Sequence, residues 1–107
     1  MTLNEYQIEA EKGAFYEKDD VPYLALGITG EAGEIADHVK KMLRDDNGIM
    51  TEERETALLS ELGDVLWYVA RMAGRLGVSL DSVAHKNLRK IEDRIHRGVQ
   101  GGSGDNR

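Results

Sequence analysis

A chain of 107 residues, 40% hydrophobic and 32% charged, has the length of one domain and is too apolar for wholesale disorder. Its formal net charge of −6 argues against a general binder of nucleic-acid polymers, which needs a basic face. Small phosphorylated ligands stay open, because bound cations can invert a local field. With no cysteine there is no disulfide framework and no thiolate metal centre, which fits a reducing cytoplasm. No apolar run reaches 18 residues, so no membrane span is expected.

Thr2 and Glu5 stand at capping-box spacing and open a predicted first helix over about 3 to 15. Asp19 or Asp20, followed by Pro22, marks the start of a second helix that runs to about Arg44. Its apolar positions, Ile28, Ala32, Ile35, Val39 and Met42, alternate by four and three. Asn47-Gly48 breaks the chain, and Thr51 caps a third helix with Glu52 and Glu53 in its first turn. Leu58, Leu62, Val65, Val69, Met72 and Leu76 form that helix's stripe, and Gly77 stops it. A fourth helix starts at Ser79 or Asp81 and ends near His96. No strand alternation competes, so the expected fold class is all-α, a bundle of four helices.

The two middle helices resemble each other when the chain is shifted by 30 residues. Glu31 then falls on Glu61, Gly33 on Gly63, Val39 on Val69, Met42 on Met72, and Glu34 on Asp64. In each helix the acids sit on the shoulder of the apolar stripe: with the first acid at 0°, the stripe centres about 60° to one side and the second acid lies about 60° to the other. Antiparallel packing through those stripes would bring four carboxylates toward one place, whether the likeness is a true repeat or a coincidence of amphipathic helices. Gly27, Gly30 and Gly33 line one strip of the second helix, either a packing groove or a track for close approach.

Glu31, Glu34, Glu61 and Asp64 offer only hard oxygen ligands, a set that suits Mg²⁺, with Mn²⁺ as a substitute, and not Zn²⁺. A di-iron bundle would need Glu-x-x-His from each of two helices, whereas His38 lies four residues after Glu34 and the second pair ends in Asp64. The alternative is a solvated flank of ordinary amphipathic helices. Two matched pairs, each beside a core stripe, favour the cation.

With "EAGE" at 31–34 and "ELGD" at 61–64, the chain resembles the MazG-like nucleoside triphosphate pyrophosphohydrolases, all-α enzymes with an ExxE and then an ExxD motif. The resemblance runs from "NEYQ" through "GDVLWY" to "KNLRKIEDR". It implies a single catalytic domain over 1–97 and Mg²⁺-dependent hydrolysis of an NTP or dNTP to the monophosphate and pyrophosphate. In this reading Glu31, Glu34, Glu61 and Asp64 hold metal, and Glu34 and Glu61 are the catalytic candidates, with Glu34 orienting or deprotonating water. The family's Asn-x-x-Lys-x-x-x-Arg pattern matches Asn87, Lys90 and Arg94, which share one helical face. Lys90 and Arg94 are expected on phosphates, the alternative being a surface ion ladder with Glu92 and Asp93. Tyr68 takes a position that the resemblance marks as a substrate contact, and Gln7 one near the base.

Several side chains keep two readings. Trp67 stacks a base or packs; Lys40 and Lys41 reach phosphates or solvate a helix end. His38, His85 and His96 share no motif and read as surface or internally satisfied residues. The Gly-rich stretch 98–107 is expected to be a flexible tail, the other reading being a cradle that folds over nucleotide. A chain this short gains core by self-association, so a homodimer or homotetramer in the cytoplasm is expected. The competing function is a non-catalytic helical dimerisation or adaptor module, which would show no turnover and no metal-dependent stabilisation.

Overall fold

Each helix begins where a short polar side chain can satisfy an amide left free in the first turn. Thr2 Oγ1 accepts from the Glu5 amide at 3.1 Å, and the Asp20 carboxylate from the Val21 amide at 2.7 Å. Thr51 Oγ1 accepts from the Arg54 amide at 3.1 Å, and Ser79 Oγ from the Ser82 amide at 3.1 Å. The resulting helices are α1 (Leu3–Lys12), α2 (Val21–Asp45), α3 (Glu52–Arg75) and α4 (Leu80–Arg97). This computed structural model describes residues 1–13, 20–99 and 101–107, and no strand occurs among them. The all-α expectation holds. The first helix, expected over about 3 to 15, ends at Lys12 with Gly13 as its C-cap, while 14, 15 and the alternative cap Asp19 lie outside the described residues.

α2 and α3 are joined by the short connection 46–51, where Asn47 and Gly48 take left-handed backbone (φ 55° and 74°). They pack as a helical hairpin, the largest helix–helix contact among the described residues. Ile28, Ile35, Val39 and Met42 from α2 and Leu58, Val65, Val69 and Met72 from α3 are half-buried, while Ala32, Leu62 and Leu76 remain exposed. α1 lies on α3, where Ala10, Ala70, Ala73 and Leu80 form a buried cluster flanked by Tyr6, Trp67 and Val69. Trp67 therefore packs at the edge of the core.

Among the described residues the backbone of α4 approaches α1 and α3 and not α2, while Val83 of α4 and Ile28 of α2 line one apolar pocket with Met72 and Leu76. The start of α4 is tied to α1: Gln7 Nε2 donates to the Val78 carbonyl and Gln7 Oε1 accepts from the Leu80 amide, both at 2.9 Å. Asn4 Oδ1 accepts from the Asp81 amide at 3.0 Å. Gln7, which the resemblance places near a base, is thus engaged at both ends of its amide. Beyond this anchor α4 diverges, and the radius of gyration is 16.6 Å, against about 13 Å for a compact chain of this size. Leu88, Ile91 and Ile95, a stripe on α4, stay exposed in consequence.

Candidate active site

The hairpin register decides which acids meet. Glu31 from α2 and Glu61 and Asp64 from α3 bring one carboxylate oxygen each within 4.8 Å of one another. Glu31 and Glu61 are partly withdrawn from solvent and Asp64 is exposed. The matched register of the two middle helices is thus realised as a convergence of both helices' first acids and the second acid of α3. Glu34 stands apart: it is exposed and outside this group, but its charge still reaches Glu31.

The crowding has an electrostatic signature. Burial pushes the Glu31 carboxyl above the usual carboxylate range, and the charges of Asp64, Glu61 and Glu34 and a hydrogen bond with Glu61 push it the same way. Tyr6, on α1, is raised by burial first and by the charge of Asp64 second. Three carboxylates from two helices, with like charges adding to one another's cost, fit a hard divalent cation bound through oxygen. The ligand set offers nothing soft.

His38 is the residue that motif reading passes over. Its Nε2 lies 3.5 Å from Glu61 Oε1, with both side chains about four-fifths buried. Its Nδ1 is 3.3 Å from Arg54 Nη1, and Arg54 Nε donates to Asp46 Oδ2 at 3.2 Å. The only signal in the sequence is spacing: His38 follows Glu31 by seven residues and so shares its helical face.

The predicted substrate contacts divide into two places. Tyr68, half-buried one turn after Asp64, packs edge-on against Trp67 (5.1 Å between centroids, 88°) and tilted against Tyr23 (6.5 Å). Gly27 lies beneath it, since a Cβ at that position would overlap the Tyr68 ring. Gly30 and Gly33 face open space. Asn87, Lys90 and Arg94 lie on α4, with Asn87 and Lys90 lining one groove with Val83 and Lys86. Lys90 and Arg94 pair with Asp105 and not with the acids of the hairpin. Lys40 and Lys41 are both held by Asp37, at 3.0 and 2.8 Å, and push its carboxyl down to about 2.

A profile of the MazG nucleotide pyrophosphohydrolase domain matches residues 21–99, which includes both acid pairs and the whole of α4. The chain belongs to the MazG nucleotide pyrophosphohydrolase family. It is also 46% identical, over an alignment of 114 positions spanning both chains in full, to the Gene 37 protein of Mycobacterium phage L5. No solved structure matches. Within the MazG framework, the acids on α2 and α3 are the candidate metal ligands, and no helix among the described residues is long and apolar enough to cross a membrane.

Proposed function

We propose that this chain is a Mg²⁺-dependent nucleoside triphosphate pyrophosphohydrolase that converts an NTP or dNTP to the monophosphate and pyrophosphate, a housecleaning activity on the nucleotide pool. Mn²⁺ is the expected substitute. The observation that carries the reading is the meeting of Glu31, Glu61 and Asp64 on the hairpin of a MazG-family chain.

Glu31, Glu61 and Asp64 would hold the cation, and Glu34 would complete the set from its exposed position one turn along α2. Bound there, Mg²⁺ supplies charge neutralisation for the triphosphate and polarisation of the α-phosphoryl group. Glu34 is the acid best placed to take the proton of the attacking water, being outside the tight group and accessible. Water oxygen bonds to the α-phosphorus, the α–β anhydride bond breaks, and pyrophosphate leaves. Glu61, one of the three clustered acids, would fix the geometry on which that attack depends. Tyr68 supports the nucleotide beside the acids, and Asn87, Lys90 and Arg94 bind its phosphates.

The divergence of α4 bears on assembly. Within one chain Lys90 and Arg94 pair with Asp105 and not with the hairpin acids, which supports the reading that in a homo-oligomer a second copy would supply the cations that complete the acid site. The exposed stripe Leu88, Ile91 and Ile95 lies roughly a quarter-turn from the Asn87–Lys90–Arg94 face. One surface of α4 can therefore bury against a partner while the other faces substrate.

The test is pyrophosphate release from a panel of NTPs and dNTPs with Mg²⁺, with EDTA and in the Glu61→Gln variant. Metal-dependent release that is lost in the variant supports the reading. Orthophosphate as product would overturn the bond assignment. No turnover on any nucleotide, with no thermal shift on adding Mg²⁺, would favour a helical dimerisation module.

A further inference from the structure

We propose that His38 is a positioning residue: with its ring proton on Nε2, an arrangement held by Arg54, it orients the Glu61 carboxylate for the cation. The inference rests on the metal reading above and concerns a residue outside the ExxE and ExxD motifs.

The tautomer follows from donor chemistry. A guanidinium has only donors, so Arg54 Nη1, 3.3 Å from His38 Nδ1, requires that nitrogen to be an acceptor. The ring proton is then on Nε2, the atom that faces Glu61 Oε1 at 3.5 Å. Asp46 fixes the other side of Arg54, accepting from Nε at 3.2 Å. Along the order Asp46–Arg54–His38–Glu61, acceptors and donors can thus alternate.

Two further features give the network a purpose beyond packing. Arg54 occupies the first turn of α3, among Glu52, Glu53 and Glu55. A cation is the unfavourable sign at a helix N-terminus, so a tertiary partner is needed to explain it. All four side chains are also largely withdrawn from solvent: 20% and 19% exposed for Asp46 and Arg54, 21% and 19% for His38 and Glu61. Placing four polar groups there is costly unless each is paired. At 3.5 Å the last contact is longer than an ideal hydrogen bond, so it steers the carboxylate without tying it up. Groups that orient a metal ligand in this way are commonly worth about 10- to 100-fold in metal affinity.

Mn²⁺ affinity, read by calorimetry or by the loss of the free-ion magnetic resonance signal, tests this without turnover. The full chain is compared with His38→Gln, His38→Asn, His38→Leu and Glu61→Gln. Glutamine carries an amide N–H to about the place of Nε2, whereas asparagine stops near Nδ1 and cannot reach Glu61. His38→Gln should stay within a few-fold of the parent, and His38→Asn and His38→Leu should bind about 10-fold more weakly or worse. If His38→Leu does not fold, the glutamine–asparagine pair still decides. Equal affinity for both amides, with Glu61→Gln binding lost, overturns the role of His38 and leaves the metal reading standing. Unchanged binding in Glu61→Gln overturns the metal reading itself.

Discussion

The carboxylate of Asp105 lies 3.2 Å from Nη2 of Arg94, and the Asp105 carbonyl accepts from the same nitrogen at 3.1 Å. Lys90 Nζ is 3.4 Å from the same carboxylate. The chain returns to α4 through left-handed glycines, Gly98, Gly102 and Gly104. Arg94 is left with only 8% of its side chain exposed, while Asp105 is 84% exposed. An anion of this chain thus occupies the cations assigned to phosphate.

Asp105 should therefore compete with phosphate for Lys90 and Arg94. Pairs with a solvent-exposed partner are weak and easily exchanged, so the expected effect is modest. Asp105→Asn should tighten binding of inorganic pyrophosphate or a triphosphate by a few-fold, measured by calorimetry at low salt. The gain should shrink as ionic strength rises. Unchanged or weaker binding in the variant would mean that Asp105 builds the phosphate site and does not block it.

The helix boundaries were legible because caps and breakers act locally: Thr2, Thr51, Ser79 and Gly77 do in the structure what their chemistry predicts. The convergence of Glu31, Glu61 and Asp64 was legible from helical phase plus antiparallel packing. Other features depend on distances along the chain that no local pattern encodes. The engagement of Gln7 with Val78 and Leu80, 71 and 73 residues away, is one. His38 beside Glu61 is another, and the divergence of α4 a third, since a stripe of apolar residues says only that something covers it.

The three glycines of α2 should respond differently to a methyl group. Gly27→Ala gains roughly 1 kcal/mol of helix propensity but drives a Cβ into the Tyr68 ring, an overpacking that costs about 1–3 kcal/mol. Gly33→Ala and Gly30→Ala meet nothing within 4 Å and should stabilise the chain by up to about 1 kcal/mol. Thermal melts of the three variants check this. A destabilised Gly33→Ala would show that the open strip is covered in the assembled protein.

The apolar stripe of α4 should be the most sensitive surface for assembly. Ile91 lies between Leu88 and Ile95 in the exposed stripe and is 39% exposed in the single chain. A carboxylate buried at the centre of an interface without a partner is strongly destabilising. Ile91→Asp should shift the mass read by light scattering toward the monomer, and turnover should fall with it if α4 cations act across subunits. A mass that does not change would place the interface elsewhere.

The acid cluster should make the metal-free protein less stable as pH rises through the titration of Glu31. Its folded-state pKa is raised above the ordinary value of 4.5, by burial first and then by Asp64, Glu61 and Glu34. The folded state therefore binds more protons than the unfolded chain between 4.5 and the raised value. Stability falls with pH across that window and does not recover above it. Glu31→Gln removes the ionisation, so its melting temperature should fall less from pH 4 to pH 7 than that of the parent. Saturating Mg²⁺ at pH 7 should raise the parent's melting temperature by mass action and the variant's far less. Melting curves of both proteins, at both pH values and with and without Mg²⁺, separate these effects. If the parent and Glu31→Gln lose stability equally across the window, the repulsion at Glu31 is not what governs the metal-free state.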